Sequence, residues 1–261
     1  MSTLSSYNQY YQPSALPLSL IPQKTLSIGL SAWWAMDETM TAGVDTIYDS
    51  HGGVDLLENG TGSLVLNDSD AVFGQVLDFQ GSGSSNIYIT ASSSREMTYI
   101  SDFAIAGWAK FDSLAVGNQC IACRADNGAN ANAEIDWQLI WNGGSGLMNF
   151  TSITGSTGYT AEWPNALSTG TWYFLVGSYS ARNAQVGISV NGGTLVTAAT
   201  SGNMNTGGDQ FKFARRSFDA SWDAYMDGKL SRWGHWNRNL SADEITWLAA
   251  KPRNYSDLVF T

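Results

Sequence analysis

The sequence predicts an all-β protein: an antiparallel jelly-roll β-sandwich with one short C-terminal helix and an extended N-terminal arm. Three observations carry this prediction. The chain divides into short runs of alternating apolar and polar residues, Gly, Asn, Asp and Ser separate these runs, and only one segment has a helical pattern. One short helix after a long series of strands is typical of a sandwich and not of an α/β enzyme.

The alternating runs begin after residue 29 and predict many antiparallel strands. Asn-Gly-Gly at 142–144 and at 191–193 supplies the positive φ angles that tight turns need. The run WYFLVGSY at 172–179 is apolar on both faces, which is typical of a central strand covered on two sides. The predicted strands are 86–90, Phe103–Phe111, Trp137–Trp141, Trp172–Tyr179, Val186–Val190, Gln210–Ala214 and Lys229–Trp236.

Residues 241–252 carry the helical pattern. Ser241 and Glu244 match a capping box, in which the serine hydroxyl accepts a hydrogen bond from a free backbone N–H and the glutamate reaches back. Apolar residues at 245, 247 and 248 then form one face, and Pro252 ends the pattern. We therefore expect one short helix here.

The composition excludes several functional classes. Hydrophobic residues make up 43% of the 261 residues and charged residues only 14%, so the chain is neither a coiled coil nor a charge-driven disordered protein. The net charge of -10 repels phosphate backbones, so we expect no nucleic-acid partner. No apolar run approaches the roughly 20 residues that cross a bilayer, so we expect no membrane insertion.

Residues 1–28 form the predicted arm, and residues 29–261 form the predicted domain. The arm is uncharged up to residue 24, and prolines at 13, 17 and 22 prevent a continuous helix. Its apolar residues are expected to dock on a partner, a particle subunit or another copy of the chain. These are Leu16, Leu18, Leu20 and Ile21. A chain that begins at Gly29 is expected to stay folded, with nearly full thermal stability, and to lose attachment.

Two cysteines, Cys120 and Cys123, form the only Cys-x-x-Cys sequence. A zinc site would need two further ligands, and the only histidines, His51 and His235, lie far away in sequence. The segment reads as a strand, on which residues three apart face opposite sides. We expect two ordinary buried thiols.

Four aromatic residues are candidates for glycan contact. Tyr159 and Trp163 lie in a polar stretch, and Trp137 and Trp141 share one face of their predicted strand. Aromatic rings stack on the C–H groups of sugars, but they also fill cores. Both interpretations stay open for all four residues.

The order of motifs resembles the laminin-G-like branch of the concanavalin A-like jelly rolls over residues 29–250. The resemblance implies two curved, packed antiparallel sheets, with functions that range over glycan binding, protein binding and structural spacing. It rests on GLSAWWAMDE (29–38), DSHGG (49–53), GQVLDFQG (74–81), FAIAGWAK (103–110), WYFLV (172–176) with SVNG (189–192), and MDGKL (226–230) with WNRNLSADEI (236–245).

Hydrolases of the same superfamily carry a Glu-x-Asp-x-(x)-Glu motif. Glu134 and Asp136 resemble its first half, but Gln138 or Leu139 stands where the second Glu should be. A retaining hydrolase needs two carboxyl groups, and a glutamine cannot cycle a proton. We expect no catalytic residues.

Relatives in this family often hold calcium, and Asp49 and Asp227 are oxygen donors of the right type. In this chain Gly228-Lys229-Leu230-Ser231 replaces the "GxLD" of many relatives, which removes one ligand. Turn formation by either aspartate is the alternative. No cofactor is expected to be required, and a structural calcium ion stays open.

The arm, the sandwich and the absence of a recognisable export signal together predict a structural virion protein. A bacteriophage is the favoured source. The protein would decorate a capsid or belong to a tail or fibre, it would be assembled in the host cytoplasm, and it would have weak glycan adhesion at most. The alternative is a secreted or cell-surface lectin-like module with an extracellular location.

Overall fold

The fold is described from a computed structural model of the chain. The structure describes residues 25–38, 46–59, 66–80, 88–91, 101–115, 117–125, 135–207, 210–216 and 224–259. These ranges contain eighteen β-strands, which pair in antiparallel sheets, and two short C-terminal helices. The predicted all-β class is therefore confirmed.

Every strand predicted from the sequence is present, and each differs from its predicted bounds by no more than two residues at either end. In chain order the strands are β1 (Leu30–Trp34), β2 (Thr46–Ile47), β3 (Leu56–Asn59), β4 (Leu66–Asp70), β5 (Gly74–Phe79), β6 (Tyr88–Ala91), β7 (Phe103–Phe111), β8 (Gln119–Ala125), β9 (Ile135–Asn142), β10 (Leu147–Thr154), β11 (Thr157–Glu162), β12 (Trp172–Ser180), β13 (Gln185–Val190), β14 (Val196–Ala199), β15 (Gln210–Phe213), β16 (Arg215–Arg216), β17 (Ala224–Tyr225) and β18 (Gly228–Trp236). The helices are α1 (Ala242–Ala249) and α2 (Tyr255–Leu258).

Two eight-stranded sheets form the sandwich. Sheet A has the order β14-β13-β12-β7-β18-β5-β4, and sheet B has the order β11-β10-β9-β8-β15-β6-β3-β2. The eighth strand of sheet A is β1. It lies on the same edge of β18 as β5, because β5 pairs with Gly228–Leu230 and β1 pairs with Trp233–Trp236. Arg232, between these two stretches, has a φ of 56°. The strands β16 and β17 form a separate ribbon.

Aromatic and aliphatic side chains from both sheets fill the space between them. Trp34 stacks on Phe211 with ring centroids 5.4 Å apart, and Trp137 stacks on Phe150 at 5.9 Å. The period-two alternation of each strand places these residues on one face. A side chain at Gly177 would have its Cβ 2.2 Å from the Phe150 ring, so only glycine allows this close approach.

The outer face of sheet A is covered by α1. The predicted capping box is present: the Glu244 backbone N–H donates to Ser241 Oγ at 3.2 Å, and the Ser241 N–H donates to Glu244 Oε2 at 2.8 Å. Ile245 packs in the same cluster as Phe174 of β12. This strand also faces the core, so the prediction of a central strand covered on both sides is confirmed. The four-residue α2 was not predicted, because its sequence is too short for a helical period.

The packed part of the chain includes residues 25–28, which the sequence had assigned to the arm. Leu26 is fully buried, and its carbonyl accepts a hydrogen bond from Trp236 Nε1 at 2.8 Å. Arg238 Nη2 donates to the Thr25 carbonyl at 2.7 Å, and Thr25 Oγ1 donates to Glu244. The boundary between arm and domain at residue 29 stays a prediction. The arm residues Leu16, Leu18, Leu20 and Ile21 lie outside the described residues.

The two cysteines of β8 are free and buried, as predicted. Their predicted orientation is wrong, because the register of β8 against β9 shifts between Cys120 and Ala122. Such a bulge adds one residue to a strand, so residues three apart come to share a face. Both thiols consequently pack in one cluster with Ala224 of β17. Burial raises the pKa of the Cys120 thiol.

His235 of β18 is buried against Phe103, with the two rings stacked and their centroids 5.7 Å apart. Its Nδ1 lies 2.7 Å from Ser31 Oγ. Burial disfavours the charged imidazolium and lowers the pKa of His235 to about 3.

We predict that this histidine makes folding stability depend on pH. Below about pH 6.5 the unfolded chain takes up a proton that the folded chain does not take up until about pH 3, so stability falls with decreasing pH by about 1.4 kcal/mol per pH unit in that window. Urea denaturation between pH 4 and 7 should show a steeper dependence for the wild type than for His235→Gln. Equal slopes in the two proteins would contradict the prediction.

The N-terminal contacts predict different effects for two truncations. Removal of residues 1–28 should lower the free energy of unfolding by about 2–5 kcal/mol, because the burial of Leu26 and the acceptor of Trp236 Nε1 are lost. Removal of residues 1–24 keeps these contacts and should lower stability less. Leu26→Ala is the matched point variant, and urea denaturation measures all three. A chain that begins at Gly29 and is as stable as the full chain would disprove this account.

Candidate functional site

An open groove lies on the outer face of sheet B, across β9, β10 and β11. Its volume is about 240 Å³, and most of its lining is polar. The polar lining residues are Asn118, Gln138, Asn142, Asn149, Thr151, Thr160 and Arg216. Ile140, Ile153 and Gly158 complete the lining.

The alternation of β9 explains why this face is polar. Trp137, Leu139 and Trp141 belong to the core, so the residues between them, Gln138 and Ile140, point to the opposite face. The strands β10 and β11 contribute threonine and asparagine side chains in the same way. The groove is therefore the reverse side of the aromatic core.

Hydrogen bonds between side chains hold the groove in shape. Arg216 Nη1 donates to Gln138 Oε1 at 2.6 Å, which ties β16 to β9. The hydroxyl oxygens of Thr151 and Thr160 lie 2.9 Å apart and bridge β10 and β11. The Asn149 amide nitrogen donates to the Met148 carbonyl at 2.9 Å and, beside the groove, to a Glu162 carboxylate oxygen at 3.1 Å.

These groups suit a neutral ligand with many hydroxyl groups. Amides and hydroxyls both donate and accept hydrogen bonds, and the guanidinium donates. None of the ten lining residues carries a carboxyl group. The lining that the structure describes therefore suits a polyol and includes no acid–base pair.

The aromatic residues proposed for glycan contact do not form this groove. Trp137 and Trp141 share one face of β9, as predicted, but that face is the core, and they are 1% and 4% exposed. Their rings are closed to a ligand in the folded protein, and core packing accounts for both.

Tyr159 and Trp163 are half-buried at the edge of the core. Tyr159 lies on β11 and not in a polar loop, and a side chain at Gly193 would have its Cβ 2.8 Å from the Trp163 ring. Glycan contact by these two residues stays a prediction.

Asp136, which resembles part of the hydrolase motif, has a structural role. This side chain is fully buried and forms an ion pair with Arg124 of β8. Removing one partner of a buried ion pair leaves an uncompensated charge, so the Asp136 carboxylate stabilises the fold. Gln138 lies in the groove with its side-chain oxygen bonded to Arg216. Glu134 lies outside the described residues.

The environment of Asp49 favours turn formation over calcium binding. Its two carboxylate oxygens accept four backbone N–H groups at 2.8–2.9 Å, those of Trp33, His51, Gly52 and Val54. Asp227 belongs to a different segment, and its backbone N–H donates to Gln119 Oε1 at 2.9 Å. Across the described ranges, no three His, Cys, Asp or Glu side chains are grouped to hold a metal ion. Calcium at either aspartate stays untested.

Lys229, the residue that departs from the "GxLD" pattern, lies among carboxylates on sheet A. Its ammonium is 2.8 Å from Asp68 and 3.5 Å from both Asp78 and Asp112. Burial disfavours its charge, but the three aspartates outweigh burial and raise the pKa of Lys229. The ammonium of Lys229 therefore balances one of these three negative charges.

A family model matches residues 81–246, which include β6 to β18 and most of α1. The model describes the concanavalin A-like lectin/glucanases superfamily, in its laminin-G-type branch, and the match covers more than half of the chain. The chain belongs to this superfamily. The resemblance inferred from the sequence motifs is thus confirmed. A search of curated protein sequences gave no significant match.

Solved structures that are similar to this chain include parts of carbohydrate-active enzymes. Domain 4 of an extracellular GH43 arabinanase from Geobacillus stearothermophilus, in complex with arabinotriose, is 18% identical with a TM-score of 0.64, over 84% of this chain and 98% of that chain. The sialidase of Trypanosoma rangeli is 15% identical with a TM-score of 0.57, over 85% of this chain and 32% of that chain. A receptor binding domain is 12% identical with a TM-score of 0.59, over 88% and 52%. At these identities the likeness shows the fold.

Sequence reasoning missed most of the residues of the groove. A usable signal was present in β9, because assigning Trp137 and Trp141 to one face places Gln138 and Asn142 on the other. Arg216 had no such signal, since β16 is two residues long and joins the groove only through the tertiary fold. Among the described residues no helix is long and apolar enough to cross a membrane.

Proposed function

We propose that this protein is a non-enzymatic glycan-binding module whose ligand lies in the groove of sheet B. The observation that carries the proposal is the groove itself, which amides, hydroxyls and one guanidinium line on the outer face of sheet B. Neutral sugars offer matching hydroxyl groups and apolar C–H faces.

The comparisons support this ligand class. The similar arabinanase domain is described in complex with arabinotriose, and the similar sialidase is described in complex with 2,3-difluoro-KDN. Both are other proteins at low identity, so arabinotriose serves here as a first probe. The fold is common to them and to this chain, whereas the lining residues are this chain's own.

Three features support binding without catalysis. Asp136 is buried in an ion pair with Arg124, Gln138 replaces a second carboxyl group, and the groove lining holds no carboxylate. Hydrolysis of a glycosidic bond needs two positioned carboxyl groups. Replacing Glu134 or Asp136 by alanine is accordingly expected to change no catalytic rate.

Variants of the groove test the proposal. Gln138→Ala combined with Asn149→Ala should weaken glycan binding about tenfold or more, because two hydrogen-bonding groups are removed at about 0.5–1.5 kcal/mol each. Asn183→Ala is the matched control, since this exposed asparagine lies in the turn between β12 and β13 of sheet A. Isothermal titration with arabinotriose and a panel of neutral oligosaccharides measures the affinities.

Two outcomes would count against the proposal. If the wild type binds a glycan and the groove variant binds it equally well, the ligand lies elsewhere. Release of reducing sugar from a polysaccharide by the wild type, lost in Glu134→Ala, would show an enzyme.

We further propose that the module is displayed on a virus particle, on a capsid or on a tail or fibre, and that its N-terminal arm attaches it. The apolar residues Leu16, Leu18, Leu20 and Ile21 support this role, because the chain that follows them is fixed to the sandwich at Thr25 and Leu26. A secreted or cell-surface lectin-like module is the alternative.

Mass spectrometry of purified particles separates the two roles. The protein should copurify with particles in a stoichiometric amount, and removal of residues 1–24 should abolish this association while the sandwich stays folded. Particles that lack the protein, with the protein free in the culture medium, would support the extracellular lectin instead.

A further inference from the structure

A second, more apolar groove lies beside α1, far from the groove lining of sheet B. It runs between α1 and the turn that joins β13 to β14, and its volume is about 380 Å³. Leu195, Leu240 and Ile245 supply its apolar surface, and Ala242 and Thr246 form its exposed wall. We call it the α1 groove. Its size lies in the range of small ligand pockets.

The described chain begins on the other side of the same helix. Thr25 Oγ1 donates to Glu244, and Arg238 holds the Thr25 carbonyl. Glu244 follows Ala242 by two residues, about 200° around the helix, so Thr25 and the α1 groove flank α1 on opposite sides. A depression of about 330 Å³ beside Thr25 reaches the N-cap residue Ser241, which is next in sequence to Ala242 of the α1 groove.

The residues before Thr25 are long enough to pass around α1. A helix with its side chains is about 10–12 Å wide, and the nine residue steps from Thr25 back to Leu16 span at most about 30 Å. The segment 16–21 is therefore long enough to reach the α1 groove from the fixed end at Thr25.

The segment 16–21 is apolar, as the α1 groove is. Residues 16–21 read Leu-Pro-Leu-Ser-Leu-Ile and carry no charge. Proline at position 17 favours an extended backbone, on which residues 16, 18 and 20 share one face. An extended apolar segment complements a narrow groove lined by aliphatic side chains.

We propose that the segment 16–21 docks in the α1 groove of its own chain. The same leucines are those that would attach the protein to a particle, so docking and attachment exclude each other. The α1 groove then shields the apolar arm of the free protein until a partner takes it. This inference does not rest on the glycan site, which lies on the other sheet.

Disulfide trapping in the full-length chain tests the docking. Leu20→Cys combined with Thr246→Cys should form an intramolecular disulfide in a glutathione redox buffer at least tenfold faster than Leu20→Cys with Ser145→Cys. Ser145 is exposed in the turn between β9 and β10 of sheet B, so it serves as the remote control. The two native thiols are buried and stay outside the exchange. Mass spectrometry identifies the bond, and the rate should not depend on protein concentration.

A third variant separates docking from mere proximity along the chain. Adding Leu195→Asp to the trapping pair should slow the disulfide about tenfold, because a charge opposes an apolar contact while the tether is unchanged. Circular dichroism and thermal unfolding verify that the variant is folded. An equal rate with Leu195→Asp, a rate no faster than that of the Ser145→Cys pair, or a disulfide formed only between chains would overturn the proposal.

Discussion

The aromatic core between the two sheets determines what each surface of this protein can do. Large rings such as Trp34, Trp137 and Phe211 occupy one face of their strands, and the pleat of a strand sends the residues between them outward. On β9 this leaves glutamine and asparagine on the surface. The polarity of the groove is therefore a direct result of how the interior is packed.

The two outer faces are covered to different extents. On sheet A, α1 and the segment around Leu26 pack over the strands and bury a second apolar cluster. On sheet B, part of the face carries a third cluster that includes both cysteines and Ala224 of the β16–β17 ribbon. The groove across β9, β10 and β11 lies beside this cluster.

Much of this arrangement can be predicted from the sequence, because local patterns control it. The bounds of β7 match the alternation in FAIAGWAKF residue for residue, and the capping box of α1 is visible in four residues. The orientation of Cys123 could not be predicted, since one register shift reverses it. Leu26 gave no local signal either, because a lone leucine near prolines becomes part of a core only through distant partners. The rings of Trp137 and Trp141 suggested a binding site, but their burial depends on the opposite sheet.

The position of β18 links the two ends of the chain. Along one edge it pairs with β7, and along the other it receives β5 and then β1, so that Ser31 and His235, 204 positions apart, meet in the finished sheet. Contacts between such distant residues carry a large loop-closure cost and slow the folding of β-proteins. During synthesis, β1 emerges from the ribosome first and has no partner until β18 follows it. Sheet A therefore closes only after nearly the whole chain has been made, and unpaired strand edges are prone to aggregation until then.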